Sequence, residues 1–335
     1  MLHRFQLKTS IRSVTEDSST RAKSCTVPVA VAVLSLFLAS LVSTMAYAQA
    51  PAGPNRPAGV PDGYVITPFG YFHPSCVLQL TEGETLLADG PAIQHADGTL
   101  ETIPACNYPR YTASGEIVTA GEPPTINGWV ESANTTTATS YGALTATWIV
   151  PPGPASNNGQ TLYFFPGLED INDVVSIIQP VLGWNADFAG AWSIASWNCC
   201  PSGITVESSP VPVDAGHEIR GIIRDACSAG TLSCSKWEVT SEDVSTGKST
   251  KLSNTPSEGQ TFNWAFAGVL EAYGVVQCSD YPSNGSLTFS GIALYDYNFD
   301  RITDPCWSKP NASPGLTPQC TYGGSVAAKQ VTIDY

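Results

Sequence analysis

Glu271 is the only carboxylate in the run Asn263 to Val276, and its neighbours there are Leu270, Ala272, Val269 and Tyr273. The run reads as a buried β-strand, and a carboxylate inside one is costly unless it is paired, hydrogen-bonded or protonated. A carboxyl whose pKa is raised in this way is suited to general acid or base work. Upstream, Val174 to Trp184 forms the same kind of run with one amide, Gln179, inside it. Strand alternation puts Val175, Ile177, Gln179 and Val181 on one face, and Val269, Glu271 and Tyr273 on one face of theirs. The two residues are expected to form a catalytic pair, on neighbouring strands and close enough to share a water or a substrate carbonyl.

The elements that must position them are strands. Tyr141 to Val150, Thr161 to Leu168, Val174 to Trp184, Ala191 to Cys199, Ile204 to Val213, His217 to Asp225, Ser235 to Val244, Asn263 to Val276 and Ser286 to Tyr297 are short, rich in β-branched and aromatic residues, and separated by Gly, Pro, Asn and Ser turns. Some alternate, as in Lys236-Trp237-Glu238-Val239, and others are apolar on both faces. No helical period is sustained from Asn127 onward. The pattern predicts an all-β fold, a two-sheet antiparallel β-sandwich preceded by a small N-terminal module.

Four segments in order carry a resemblance: Tyr141-Gly142-Ala143-Leu144-Thr145-Ala146-Thr147-Trp148-Ile149-Val150-Pro151, Tyr163-Phe164-Phe165-Pro166-Gly167-Leu168-Glu169, Ile177-Ile178-Gln179-Pro180-Val181 and Val269-Leu270-Glu271-Ala272-Tyr273. Together they resemble the eqolisin, or glutamic peptidase, family. The resemblance implies a lectin-like sandwich and an endopeptidase active in acid. In that chemistry Glu271 activates water and returns its proton to the leaving nitrogen, while Gln179 donates to the oxyanion. It also implies Phe165, Glu169, Trp129, Trp197 and Tyr273 as substrate-binding residues, with polypeptides as substrates and no metal or cofactor. Two departures stand out. Phe165-Pro166-Gly167-Leu168-Glu169 replaces the family's Trp-Val-Gly-Ile-Asp, and Ile194-Ala195-Ser196-Trp197 lacks the acid expected in a Trp-Tyr-Glu-Trp-like strand.

The chain opens with Arg4, Lys8, Arg12, Arg21 and Lys23, followed by an apolar run from Val27 to Ala48 that ends in Ala46-Tyr47-Ala48. This predicts a signal peptide over 1–48, and a secreted protein that is off the membrane after cleavage. Residues 49–124 are Pro/Gly-rich and read either as a small separate module, a possible prosegment, with Ala120 to Pro124 as a linker, or as a strand-rich extension that stays attached. A prosegment is expected to cover the cleft and be lost on acid activation, leaving an N-terminus near Thr125 to Trp129. The sandwich is assigned to 125–300, and 301–335 to a C-terminal extension tied by a disulfide.

The formal charge is -14, and five Lys/Arg against Glu16 and Asp17 in residues 1–48 leave -17 on the remainder. Such an acidic chain disfavours nucleic acid and anionic membranes as partners; a monomer is expected. Ten cysteines in an exported chain predict disulfides. The nearest plausible partners are Cys76 with Cys106, Cys227 with Cys234 and Cys306 with Cys320, with one of Cys199 and Cys200 in reach of Cys278; spacing does not fix the connectivity, and the nine cysteines left after the signal peptide leave one thiol over. The vicinal Cys199-Cys200 pair has no zinc spacing, and His73, His95 and His217 fall in no ligand pattern.

Two other functions compete. A glycosidase would pair Glu271 with Glu169, Glu207 or Glu238. A lectin-like carbohydrate-binding or adhesion module needs only exposed aromatics, and gains if Glu271 is sealed from solvent with no cleft.

Overall fold

The computed structural model describes residues 55–87, 92–118, 128–172, 176–200 and 203–335. The signal-peptide segment and the linker Ala120 to Pro124 lie outside the described residues. All described residues belong to one compact unit, Met45–Tyr335.

The N-terminal segment contributes β1 (Val65–Thr67), β2 (Gly70–Phe72), β3 (Val77–Leu80), β4 (Thr85–Leu87), β5 (Ala92–Gln94), β6 (Leu100–Thr102), β7 (Arg110–Tyr111) and β8 (Ile117–Val118). Then follow β9 (Trp129–Thr136), β10 (Tyr141–Ile149), β11 (Thr161–Glu169), β12 (Ile177–Trp184), β13 (Trp192–Cys199), β14 (Thr205–Ser208), β15 (Val211–Val213), β16 (Glu218–Asp225), β17 (Lys236–Asp243), β18 (Lys248–Pro256), β19 (Trp264–Tyr273), β20 (Ser286–Asp296), β21 (Arg301–Ile302), β22 (Gly323–Ala327) and β23 (Gln330–Asp334).

The protein is an all-β sandwich. One sheet runs β3-β14-β13-β12-β11-β19-β9, with β15 added to β13, and the other runs β18-β17-β16-β10-β20-β23-β22, with β21 added to β20. Alternation drives the stacking: Leu144, Trp148, Phe164, Leu182, Ile194, Trp237, Leu270 and Phe289 point inward from both sheets into one core. At Gly268 the sheets approach so closely that a Cβ would lie 2.4 Å from the Phe289 ring, so only glycine fits beside the bulge between Phe266 and Gly268.

Several boundaries differ from those read in the sequence. The segment before residue 125 is not a free module, because β3 joins the first sheet by pairing in parallel with β14, the one parallel pair among the named strands. The sandwich is therefore antiparallel except at this edge. Residues after 301 are not an appended tail either: β23 pairs with β20, and Leu287, Phe289, Val331 and Ile333 share the inter-sheet core. The covalent tie to the C-terminal region is Cys278–Cys320 rather than Cys306–Cys320, and Cys306 is free. Cys199 bonds its neighbour Cys200, not Cys278. Cys76–Cys106 and Cys227–Cys234 form as expected.

A second apolar cluster lies on the outer face of the first sheet. It joins Val60, Tyr64, Val65, Ile66, Tyr71, Phe72 and Tyr111 of the N-terminal segment to Trp129, Tyr163, Phe165, Val181, Trp197, Val269 and Tyr273 of the sandwich. Each large apolar side chain buried there contributes about 1.5–3 kcal/mol toward keeping the segment seated. No helix among the described residues is long and apolar enough to cross a membrane.

Candidate active site

Gln179 and Glu271 both project from the outer face of the first sheet, where their same-face neighbours Ile177, Val181, Val269 and Tyr273 belong to the second cluster. Their strands are not neighbours. β11 lies between β12 and β19, with Glu271 opposite Tyr163, and Tyr163 opposite Gly183, four residues along β12 from Gln179. The expected adjacency fails because alternation sets the face of a strand but not the strand order. One register row holds Gln79, Glu207, Trp197 and Gln179, and another holds Ser193, Gly183, Tyr163, Glu271 and Trp129. Apolar pairs, Ala195 with Val181 and Phe165 with Val269, lie between the rows.

Glu271 is 1% exposed. Tyr273, two residues on and therefore on the same face, donates its phenol to Oε1, and the Trp129 side chain donates as well. Room for the phenol–carboxyl contact comes from Gly128, where a Cβ would lie 2.8 Å from both Glu271 Oε1 and the Tyr273 hydroxyl. Glu271 Oε2 has no partner. Burial holds this carboxyl well above the usual range; the Tyr273 and Trp129 hydrogen bonds pull it down, and the charge of Glu169 pushes it further up. Gln179 is fully buried, and neither its Oε1 nor its Nε2 has a partner.

The residues expected to bind substrate also gather on this face. Phe165 packs edge-on against Trp129, Trp197 lies beside Gln179, and Glu169 is 3% exposed opposite Ile177 and Trp264. Burial alone pushes Glu169 up to about 8, and its Oε2 has no partner.

Sequence reasoning missed Asp187 and gave Glu207 only as a glycosidase alternative. Glu207 Oε1 accepts from Gln79 Nε2 at 3.1 Å, its Oε2 is unpartnered, and burial followed by the charge of Asp187 raises it well above the usual range. Asp187 accepts from Ser193 Oγ at 2.6 Å and is pushed by burial up to about 6. The Tyr163 phenol is raised first by burial, then by the charges of Asp187, Glu271 and Glu207, so these carboxyls act on one common region. Alternation in β14, with Val206 in the inter-sheet core, is the signal that turns Glu207 outward. For Asp187, in the turn after β12, the sequence carries no such signal.

The face is sealed by the N-terminal segment. Tyr163 donates to the Ile66 carbonyl at 3.2 Å, Tyr71 lies edge-on to Tyr273, and Phe69 lies edge-on to Trp197. Arg110 places its guanidinium 3.1 Å from Cys200 Sγ. Sealing of Glu271 is the observation expected of a binding module. Here, however, part of the seal is a segment that precedes the sandwich.

Buried carboxyls on this face, together with Glu131, which faces the second sheet and accepts from Gly323 N of β22, fix the pH dependence of stability. Glu131 and Glu169, both about 8 in the folded chain, and Glu207 and Glu271 are raised above their unfolded values. Groups of this kind stabilise fully below about 4.5, and their contribution is lost as pH rises toward the folded value. Asp243 and Asp280 are lowered by hydrogen bonds, and their contribution is lost as pH falls below the ordinary carboxylate range. Urea unfolding is therefore expected to give greatest stability in mildly acid solution, declining steadily from about pH 5 to pH 8. A maximum at or above pH 8 would contradict the buried-carboxyl assignments.

No protein-family model and no curated protein matches the chain. Among solved structures it is similar to scytalido-glutamic peptidase with a peptide-based transition state analog, at 14% identity and TM-score 0.47, covering 62% of this chain and 98% of that one. It is also similar to SCP-B, a member of the eqolisin family, in complex with the tripeptide Ala-Ile-His, at 16% identity and TM-score 0.44 over 62% and 98% of the two chains. Aspergilloglutamic peptidase from Aspergillus niger matches at 16% identity and TM-score 0.36, over 52% of this chain and 98% of that one.

Proposed function

We propose that this chain is a secreted, acid-acting endopeptidase that hydrolyses polypeptides through Glu271 and Gln179, latent while its N-terminal segment is seated. One observation carries the reading. Glu271 Oε2 and both polar atoms of the Gln179 amide are buried without partners on the same face, under a segment that a single cleavage could release. Unpartnered buried polar atoms cost free energy, and a substrate carbonyl and a water would satisfy them.

In this reading Tyr273 and Trp129 fix one oxygen of Glu271 and leave the other free to take a proton from water. The Gln179 amide donates to the oxyanion as the water adds, and Glu271 passes the proton to the departing nitrogen. Its two hydrogen bonds offset part of the desolvation that would otherwise keep Glu271 protonated. Phe165, Trp197 and Trp129 supply an apolar wall, exposed when Ile66, Phe69 and Tyr71 withdraw. No metal is called for, and the substrate is the only partner the site requires.

The test is cleavage of an unfolded polypeptide by the secreted protein across pH 3–7, before and after removal of the N-terminal segment. Product peptides sequenced by mass spectrometry, formed in the presence of serine, cysteine and metal-chelating inhibitors, support the reading. No peptide release under any condition, with a β-glycan or other oligosaccharide bound or cleaved instead, transfers the function to the lectin-like or two-carboxylate alternative. Glu169, Glu207 and Asp187 on the same face give the latter its carboxyls.

A further inference from the structure

Gln179 presents a problem that the dyad does not solve. An amide donates from Nε2 and accepts at Oε1, and only the donor helps an oxyanion. With neither atom partnered, nothing in the dyad fixes which end faces the reacting carbonyl. Glu169 lies in the right place to fix it. It stands on β11 opposite Ile177, and Gln179 is the next residue on the same face of β12, so the two form a diagonal cross-strand pair at a Cα spacing of about 7–8 Å, within reach of long side chains. Glu169 Oε2 is buried and unpartnered, as are both ends of the amide. Of the ion pairs among the described residues, none includes Glu169.

We propose that Glu169, as a neutral acid, is a positioning residue that donates its O–H to Gln179 Oε1 and so turns Gln179 Nε2 toward the reacting carbonyl. This deepens, and rests on, the peptidase reading. Proton inventory supports it. An ionised Glu169 would stand unpaired in an apolar setting, and burial keeps it protonated to about pH 8. Ionisation reverses the arrangement, because a carboxylate has no proton to give and accepts from Nε2, pulling the donor away from the substrate. The other titratable or charged groups on this face are Glu271 and Tyr273 on β19, Tyr163 on β11, Glu207 on β14, Asp187 after β12, and Tyr64, Tyr71, Arg110 and Tyr111 of the N-terminal segment. None except Glu169 is a same-face diagonal carboxyl neighbour of Gln179 on an adjoining strand.

The experiment uses the full chain and needs no activity. In 15N-labelled protein the Gln179 side-chain NH2 pair is assigned by its loss in Gln179→Leu and followed from pH 5 to pH 9. A single titration near pH 8 is expected in the wild type. It should be absent in Glu169→Gln, which keeps a donor at every pH, and the urea-unfolding profile of that variant should fall less steeply between pH 5 and pH 8. A Gln179 resonance that titrates identically in wild type and Glu169→Gln overturns the proposal, as does one that does not titrate at all in the wild type. If the first set of results is obtained while no peptide is ever cleaved, the proton assignment stands and the peptidase reading fails. If peptides are cleaved and the resonance is indifferent to Glu169, the reverse holds.

Discussion

Glu271→Gln is expected to reduce peptide hydrolysis to the assay background while leaving the fold at or above its original stability at pH 7. The substitution keeps the shape of the side chain and removes the group that accepts the proton from water. It also removes a carboxyl whose ionisation the folded chain resists, so neutral-pH stability gains where catalysis is lost. Tyr273 can still donate to the amide oxygen. Gln179→Ala is expected to lower kcat by about 10²–10³-fold with a smaller change in KM, the scale of removing one oxyanion donor. Circular dichroism and urea unfolding of both variants separate lost chemistry from lost structure. Retained cleavage by Glu271→Gln would falsify the assignment of Glu271 as base and leave Glu169, Glu207 or Asp187 to account for it.

How much of this was legible in the sequence depends on the distance over which each feature is determined. Period-two alternation correctly placed Gln179 with Ile177 and Val181, and Glu271 with Tyr273, because the face of a strand is a local property. Strand order is not local, so β11 between β12 and β19 could not be read. β18 was missed because Lys248, Ser249, Lys251, Ser253 and Asn254 outnumber its buried Leu252, as suits an edge strand with one solvated side. β9 and β23 escaped for a different reason. Trp129–Thr136 ends in a polar Asn-Thr-Thr, and Gln330–Asp334 has only Val331 and Ile333 as its inward pair.

The same distinction governs the site. Glu169 was recognised through its place after Phe165-Pro166-Gly167-Leu168, yet its diagonal relation to Gln179 needs the β11–β12 register. Gln79 belongs to the segment expected to be a separate module, and its bond to Glu207 spans 128 residues of sequence. Disulfides follow the same rule. Cys227 and Cys234, seven apart, were paired correctly, whereas Cys320 bonds Cys278 across 42 residues rather than the nearer Cys306.

A cut between the N-terminal segment and the sandwich is expected to leave the two parts associated in acid and to release the segment as the solution is neutralised, opposite in sign to simple acid dissociation. No disulfide among the described residues joins them, since Cys76–Cys106 closes within the segment, so one cut suffices. What remains is the apolar cluster, the β3–β14 pairing, and polar contacts such as Gln79 to Glu207 and Tyr163 to Ile66. Seating the segment helps keep Glu207 and Glu271 out of water and raises both above the usual carboxylate range. Carboxyls raised in the closed state favour closure fully below about 4.5, and closure weakens as pH climbs, by up to about tenfold per pH unit for each group, until the closed-state value is passed. Loss of the segment in acid therefore requires its proteolytic destruction, by this protein or another, rather than its protonation. A protease site placed between residues 119 and 127, followed by size-exclusion chromatography of the nicked protein at pH 4 and pH 7, measures the step directly. Co-elution at pH 4 with separation at pH 7 is the expected result, accompanied by polypeptide cleavage when the released sandwich is returned to acid. Separation at pH 4 with co-elution at pH 7 would show that charges other than these carboxyls hold the segment.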